Sequence, residues 1–280
     1  MQLETVTLLN CRSALKRKSS LILKQDGCCK TKGHVYTVFM KVVVLMPAYR
    51  AGKRVVETFR KIPRELVEEV IIVDDKSPDN NETFELAKTL PARVYQNERN
   101  LGYGGNMKGM LRKALETDGD IFFELHADGQ YNGGDLSKVL AALKPTDGML
   151  LGSRLLEGGT AREAGMSLIK YVVNIILTWI ANVSLGTRLT EFQTGFRVYT
   201  RPFLERVNFE ANSNDHLFSF ETILQAIYHG FTITEIAVVC EYPPGVTQMG
   251  LRKGIKYTAE MLWTLARYHL ARAGRKDPVF

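Results

Sequence analysis

From residue 41 onward, short β-branched runs alternate with amphipathic stretches. Residues 41–46, 69–73, 92–95, 120–125 and 148–152 are rich in Val, Ile, Leu and Phe, the pattern of strands buried on both faces. Between them, residues 53–62, 82–90, 105–116 and 136–143 place apolar side chains at three-to-four spacing, the period of a helix with one face on a core. Strands alternating with helices predict βα units and a mostly parallel sheet. After Gly152 the rhythm changes. A long apolar helix over 166–184, an unassigned segment 190–207, a helix over 218–230, a strand over 232–239 and a basic amphipathic helix over 253–273 follow. The fold class is α/β: a Rossmann-like, mostly parallel sheet flanked by helices, with a C-terminal elaboration. Neither a repeat nor a linker interrupts residues 40–280, so one domain is expected, with halves 40–154 and 155–280.

Composition narrows the class. With 45% hydrophobic and 24% charged residues, the 280-residue chain can bury a large core. The longest apolar stretch, 171–185, is broken by Asn174 and Asn182, so no membrane-spanning helix is expected. The net charge of +7 is lopsided, because residues 1–40 hold seven basic side chains against two acidic ones. A nucleic-acid role therefore rests on the first 40 residues alone and is not expected. Cys11, Cys28 and Cys29 also fall there, without zinc spacing, which suits a reducing, cytoplasmic setting. Residues 1–39 are read as a disordered or non-native extension.

In an open parallel sheet, ligands bind beyond the carboxyl ends of the strands. Those ends are Pro47-Ala48-Tyr49-Arg50, Val73-Asp74-Asp75, the segment Asn100 to Asn106 with Gly102, Gly104 and Gly105, His126-Ala127-Asp128-Gly129-Gln130, and Gly152-Ser153-Arg154. Met107 spoils a dinucleotide GxGxxG pattern, and no P-loop, HExxH or GxSxG occurs.

These strand ends, together with Thr194-Gly195-Phe196-Arg197, resemble the family 2 glycosyltransferases of GT-A fold, particularly the branch of dolichyl-phosphate mannose synthase and related polyprenyl-phosphate sugar transferases. Six motifs occur in family order, from about residue 40 to the end. The resemblance implies a nucleotide-diphosphate sugar donor, UDP- or GDP-hexose, bound by Pro47, Ala48, Tyr49, Val73, Asp75, Gly104, Ala127 and Asp128. It implies a metal site at Asp128, His126 and Gln130 for Mg²⁺ or Mn²⁺. His126 stands where the family has an aspartate: either it coordinates the ion, and imidazole suits Mn²⁺ better than Mg²⁺, or it only orients Asp128 and the diphosphate while fewer protein ligands hold the metal. The acidic residue usual after the tyrosine is replaced by Arg50, Ala51 and Gly52.

Catalytic roles are implied for Asp128, Glu191, Arg154 and Arg197. A hydroxyl acceptor needs a general base, for which Glu191 is the candidate. A phosphate acceptor needs none, and guanidinium groups such as Arg154 and Arg197 would clamp it. A salt bridge between Arg197 and Glu191 is the plainer reading of that pair. The favoured function is an inverting, metal-dependent hexose transfer to polyprenyl (dolichyl or undecaprenyl) phosphate. The alternatives are transfer to a hydroxyl of a glycan or small molecule, and a catalytically silent nucleotide-sugar-binding protein. The C-terminal helix suits peripheral contact with the cytoplasmic membrane face as well as ordinary core packing. The loop 243–254 is read as a lid over the diphosphate. Protein begun at Met40 is expected to fold with an unchanged melting temperature; a chain that fails to fold would contradict the reading of residues 1–39.

Overall fold

The computed structural model describes residues 40–156, 161, 165–241 and 250–280. The expectations for 1–39, and for 243–249 of the lid, lie outside the described residues; Arg252, Lys253 and Gly254 belong to the last helix.

Seven strands form the sheet: β1 (Val42–Ala48), β2 (Glu69–Asp74), β3 (Arg93–Gln96), β4 (Ile121–Glu124), β5 (Asp147–Ser153), β6 (Phe196–Thr200) and β7 (Thr232–Ala237). Their spatial order is β3-β2-β1-β4-β6-β5-β7. Helices α1 (Arg54–Arg60), α2 (Glu82–Lys88), α3 (Tyr103–Leu115) and α4 (Leu136–Ala142) follow the first four strands in turn. Helix crossovers make β1 parallel to β2 and β4, and β2 parallel to β3. In the second half lie α5 (Leu168–Leu185), α6 (Arg201–Arg206), α7 (Phe218–Tyr228) and α8 (Leu251–Arg272). Strand β6 is the element the sequence pattern left unassigned. It runs antiparallel between β4 and β5, and all five of its residues are buried. Arg197 in its middle breaks the apolar run by which a buried strand is recognised.

The alternation of strand side chains builds two cores. Val43 and Leu45 of β1 pack with Met107, Met110 and Leu111 of α3 and Phe220 of α7. Val42, Val44 and Met46 pack on the other face with Val55 and Phe59 of α1 and Val139 of α4.

Helix α5 is, by length and composition alone, long and apolar enough to cross a bilayer, and only Leu177, Thr178 and Ala181 of it are buried. Asn182, which interrupts its apolar run, caps the exit. Its amide donates to the Leu189 carbonyl at 2.7 Å, and its oxygen accepts from Thr187 Oγ1 at 2.8 Å and from the Leu189 N–H at 2.9 Å.

The glycines before and within α3 serve the fold. A Cβ on Gly104 would overlap the Ser213 carbonyl oxygen, and one on Gly102, at φ +78°, would lie 2.6 Å from the Asn214 oxygen. Lys108 secures the same loop through the Asn212 carbonyl and, at 2.9 Å, Asn214 Oδ1. Gly104→Ala is therefore expected to cost about 1–3 kcal/mol or more in a denaturant titration; an unchanged midpoint would contradict this packing.

Candidate active site

The carboxyl ends of β1, β2 and β4 are laced together by backbone bonds. The Asp75 N–H donates to the Ala48 carbonyl at 2.9 Å, and the Ala127 N–H to the Pro47 carbonyl at 3.1 Å. Ala48, Val73 and Ala127 are core residues, and the Val73 carbonyl accepts from Asn106 Nδ2 at 3.2 Å. Asp74 is committed to the fold, accepting from the Ser77 N–H at 3.2 Å and Gln96 Nε2 at 2.9 Å. Asp75 uses Oδ1 to accept from Asn97 Nδ2 at 2.8 Å and the Leu101 N–H at 2.9 Å, tying the loop after β3 to the site. Tyr49 is 43% exposed, with the Arg50 guanidinium 5.3 Å from its ring centre. Beside them an open pocket of about 570 Å³ is lined by Arg50, Lys53, Arg54, Pro78, Asp79 and Glu82. Gly104 departs from its implied role: the space its missing side chain leaves is taken by the loop at Ser213 and Asn214, not left for a ligand.

After β4 the chain turns through Gly129 at φ +78°, and Asp128 Oδ1 accepts from the Gln130 N–H at 3.0 Å. His126 points its Nε2 inward, 2.8 Å from Glu124 Oε1. Glu124 is fully buried and also accepts from the Tyr103 hydroxyl at 2.6 Å and the Tyr199 hydroxyl at 2.7 Å. Burial pushes its carboxyl pKa up, but the hydrogen bond and charge of His126, the charge of Arg197 and the Tyr103 hydroxyl hold it below the ordinary range. Burial correspondingly depresses His126, while the bond to Glu124 and the charges of Glu124 and Asp128 carry it above the usual imidazole value.

No cluster of three or more His, Cys, Asp or Glu side chains able to hold a metal occurs among the described residues. The donors at hand are Asp128, Gln130 and the second nitrogen of His126. Such a partial set fits a divalent ion that takes its remaining ligands from a substrate diphosphate and water.

On the acceptor side, Glu191 is fully buried and tied to Arg154. It accepts from the Arg154 N–H at 2.8 Å, from Nε at 2.9 Å and from Nη2. Arg154 Nη2 also reaches the Gln193 carbonyl at 3.0 Å. The ion pair is thus Arg154–Glu191, and the expected Arg197–Glu191 bridge does not form. Arg197 is 1% exposed, and its Nε and Nη2 have no hydrogen-bond partner. Burial lowers its pKa, but Tyr103, Tyr199 and Glu124 outweigh that and keep it charged.

Sequence reasoning missed Glu124, Tyr103 and Tyr199, and it read His216 as structural. The His216 ring stacks on Tyr103, centroids 5.5 Å apart and planes 16° from parallel, although this histidine carries no ligand spacing in the sequence. The one visible signal was Glu124 itself, an acidic residue ending the apolar run Ile121-Phe122-Phe123.

The mixed α/β sheet gathers acidic and basic side chains at its carboxyl edge. The family model for glycosyl transferase family 2 matches residues 43–207. The chain belongs to that family. It is 28% identical over 186 residues to polyprenol monophosphomannose synthase of Mycolicibacterium smegmatis, covering 64% of this chain and 69% of the relative. It is 26% identical over 219 residues to UDP-N-acetylglucosamine--dolichyl-phosphate N-acetylglucosaminyltransferase of Methanococcus voltae, covering 72% and 86%. In fold it is similar to glucosyl-3-phosphoglycerate synthase of Mycobacterium tuberculosis in complex with UDP, at 16% identity and a TM-score of 0.60 over 85% and 82% of the two chains.

Glu191→Ala would strand the Arg154 guanidinium in a mostly buried position. A loss of about 3–5 kcal/mol is expected on denaturant unfolding; a loss below about 1 kcal/mol would show the pair to be inessential to the fold.

Proposed function

We propose that this protein transfers a hexosyl group from a nucleoside-diphosphate sugar to a polyprenyl phosphate, with inversion, at a membrane surface. A phosphate oxygen of the acceptor attacks the anomeric carbon, the bond from that carbon to the diphosphate breaks, and the nucleoside diphosphate leaves with the electron pair. An anionic phosphate needs no proton removed. The observation that carries this reading is the division of labour between two side chains: Glu191 is locked to Arg154, whereas buried Arg197 has donors to spare. A hydroxyl acceptor would need a free base where the carboxylate is already engaged. A buried guanidinium with unmet donors suits an incoming anion.

On the donor side, the edge formed by Pro47, Ala48, Val73 and Ala127 would receive the nucleotide, with Tyr49 and Asp75 for the nucleoside. The cationic pocket at Arg50 and Lys53 lies beside them. Asp128 and Gln130, with His126, would hold a divalent ion, which neutralises charge developing on the departing diphosphate. Support for such an ion comes from the mycobacterial synthase, solved with Mn²⁺ and UDP-glucose and with Mg²⁺ and UDP. The imidazole of His126 favours Mn²⁺.

The molecular surface supports a lipid acceptor. Among the described residues, 14 large hydrophobic side chains are exposed; eight lie on α5 and four on α8, helices joined by the Ser184 Oγ–His269 Nε2 hydrogen bond at 2.8 Å, so the apolar exposure is concentrated on this pair. Exposed Arg252, Lys253 and Lys256 stand near one end of α8, and Arg272, Arg275 and Lys276 near the other. An apolar centre with a basic rim fits an anionic bilayer surface, which supports work at the cytoplasmic face of a membrane.

Two experiments test this reading. Both tryptophans, Trp179 and Trp263, sit on this helix pair at 64% and 61% exposure. Vesicles containing phosphatidylglycerol should shift their emission to the blue; an unmoved spectrum, with the chain dimeric in solution, would assign the pair to a second copy instead. Arg197→Met should still fold, because it removes two unmet donors from the buried sheet, although it also withdraws the charge facing Glu124. The same change should lower transfer to polyprenyl phosphate by about 10²-fold or more. Full activity in that variant would overturn the phosphate-clamp role.

A further inference from the structure

A carboxylate at the centre of a sheet, closed off from water, is a costly substitute for an apolar residue. Glu124 occupies such a place: β4 lies between β1 and β6, and its other residues, Ile121, Phe122 and Phe123, are buried hydrophobics. Three donors converge on the carboxylate. Tyr103 and His126 meet at Oε1, and Tyr199 at Oε2. Ser219 Oγ donates in turn to the Tyr103 hydroxyl at 3.0 Å, extending the network to α7. Of these donors, His126 alone belongs to the turn that carries Asp128 and Gln130. The Cε1–Nε2 edge of its ring also lies against Gly195, where a Cβ would sit 3.7 Å away. The ring is fixed on that edge by a carboxylate and a glycine, and its Nδ1 makes no hydrogen bond to the described residues.

We propose that Glu124 is a positioning residue for the donor site: by accepting from His126 Nε2–H, it leaves Nδ1 as the lone-pair nitrogen offered to the divalent ion that accompanies the donor diphosphate. The inference rests on the proposed donor site. A carboxylate behind a histidine fixes which ring nitrogen carries the proton and raises the basicity of the other. In this chain a buried carboxylate and an imidazole in series thus do the work of one direct carboxylate ligand. Tyr103 and Tyr199 keep Glu124 from turning away. The positioning role of Glu124 exists only while position 126 is a histidine; its compensation of the Arg197 charge does not depend on that residue.

Electron paramagnetic resonance of Mn²⁺ bound to the full chain with UDP provides the test, because spin-echo modulation reports a coordinated imidazole nitrogen independently of turnover. The wild type should show nitrogen modulation, and His126→Asn should lose it. Glu124→Gln should weaken Mn²⁺ binding about 10- to 100-fold, while in a His126→Asp background the same change should cost nothing. Mn²⁺ bound in the presence of UDP without nitrogen modulation would overturn the inference and leave the donor site standing. No UDP-dependent Mn²⁺ binding at all would overturn both. Equal losses from Glu124→Gln in the two backgrounds would make Glu124 merely structural. If Glu124→Gln does not fold, the wild-type spectrum alone still decides the ligand.

Discussion

A guanidinium buried in the middle of a sheet, with Nε and Nη2 lacking hydrogen-bond partners, is the constraint around which this site is arranged. Arg197 sits on β6 directly across the ladder from Glu124 on one side and Leu151 on the other. Charge without water requires compensation, and Glu124 and the polar rings of Tyr103 and Tyr199 supply it. Yet none of them gives the guanidinium its hydrogen bonds at Nε and Nη2. The protein holds a buried cation with two donors unmet by protein groups. That state is unfavourable for an isolated fold and favourable for capture of an anion.

The antiparallel insertion of β6 is what makes this possible. In an all-parallel sheet β4 would be flanked on that side by another strand reaching the same edge. Here β6 starts at the carboxyl edge of β4, so the turn carrying Glu191 and Thr194 enters the site from the acceptor side. Glu191 then meets Arg154 at the end of β5, and Glu235 of β7 braces that turn through the Thr190 and Glu191 N–H groups at 2.8 and 3.2 Å. Burial pushes the Glu235 carboxyl up, and the hydrogen bonds from Thr190 and Glu191 work against that rise. The turn is therefore held by hydrogen bonds from both strands, and the exposed side chains of α5 and α8 lie in the same half of the chain. The burial of only Leu177, Thr178 and Ala181 along α5 makes that helix a platform on the domain, lying along its surface.

Much of the fold was legible in the sequence because its first half obeys one rule repeatedly: an apolar run, then a helix with one apolar face. The strands before residue 155 fall within two residues of their expected bounds for this reason. Where polar residues are buried, the rule fails. Arg197 hid β6, and Glu124 was read only as the end of a strand. Motif resemblance located His126, Asp128, Glu191, Arg154 and Arg197. It could not tell which of the last three would pair, since that depends on how β5 and β6 register. Nor could it separate glycines that admit a ligand from Gly102 and Gly104, which admit the loop at Ser213 and Asn214. The apolar helix was visible, but its exposure was not, because hydropathy is the same for a core helix and a surface one.

The central claim is that the acceptor is a lipid phosphate. Its most direct measurement incubates the whole protein with radiolabelled UDP- and GDP-hexoses, Mn²⁺ and vesicles containing a polyprenyl phosphate, then follows label into the organic phase. The account predicts a lipid-soluble product from one donor that forms only when the phosphate is present and releases the sugar on mild acid. Label transferred instead to a hydroxyl-bearing glycan, with none entering the lipid phase, would contradict it.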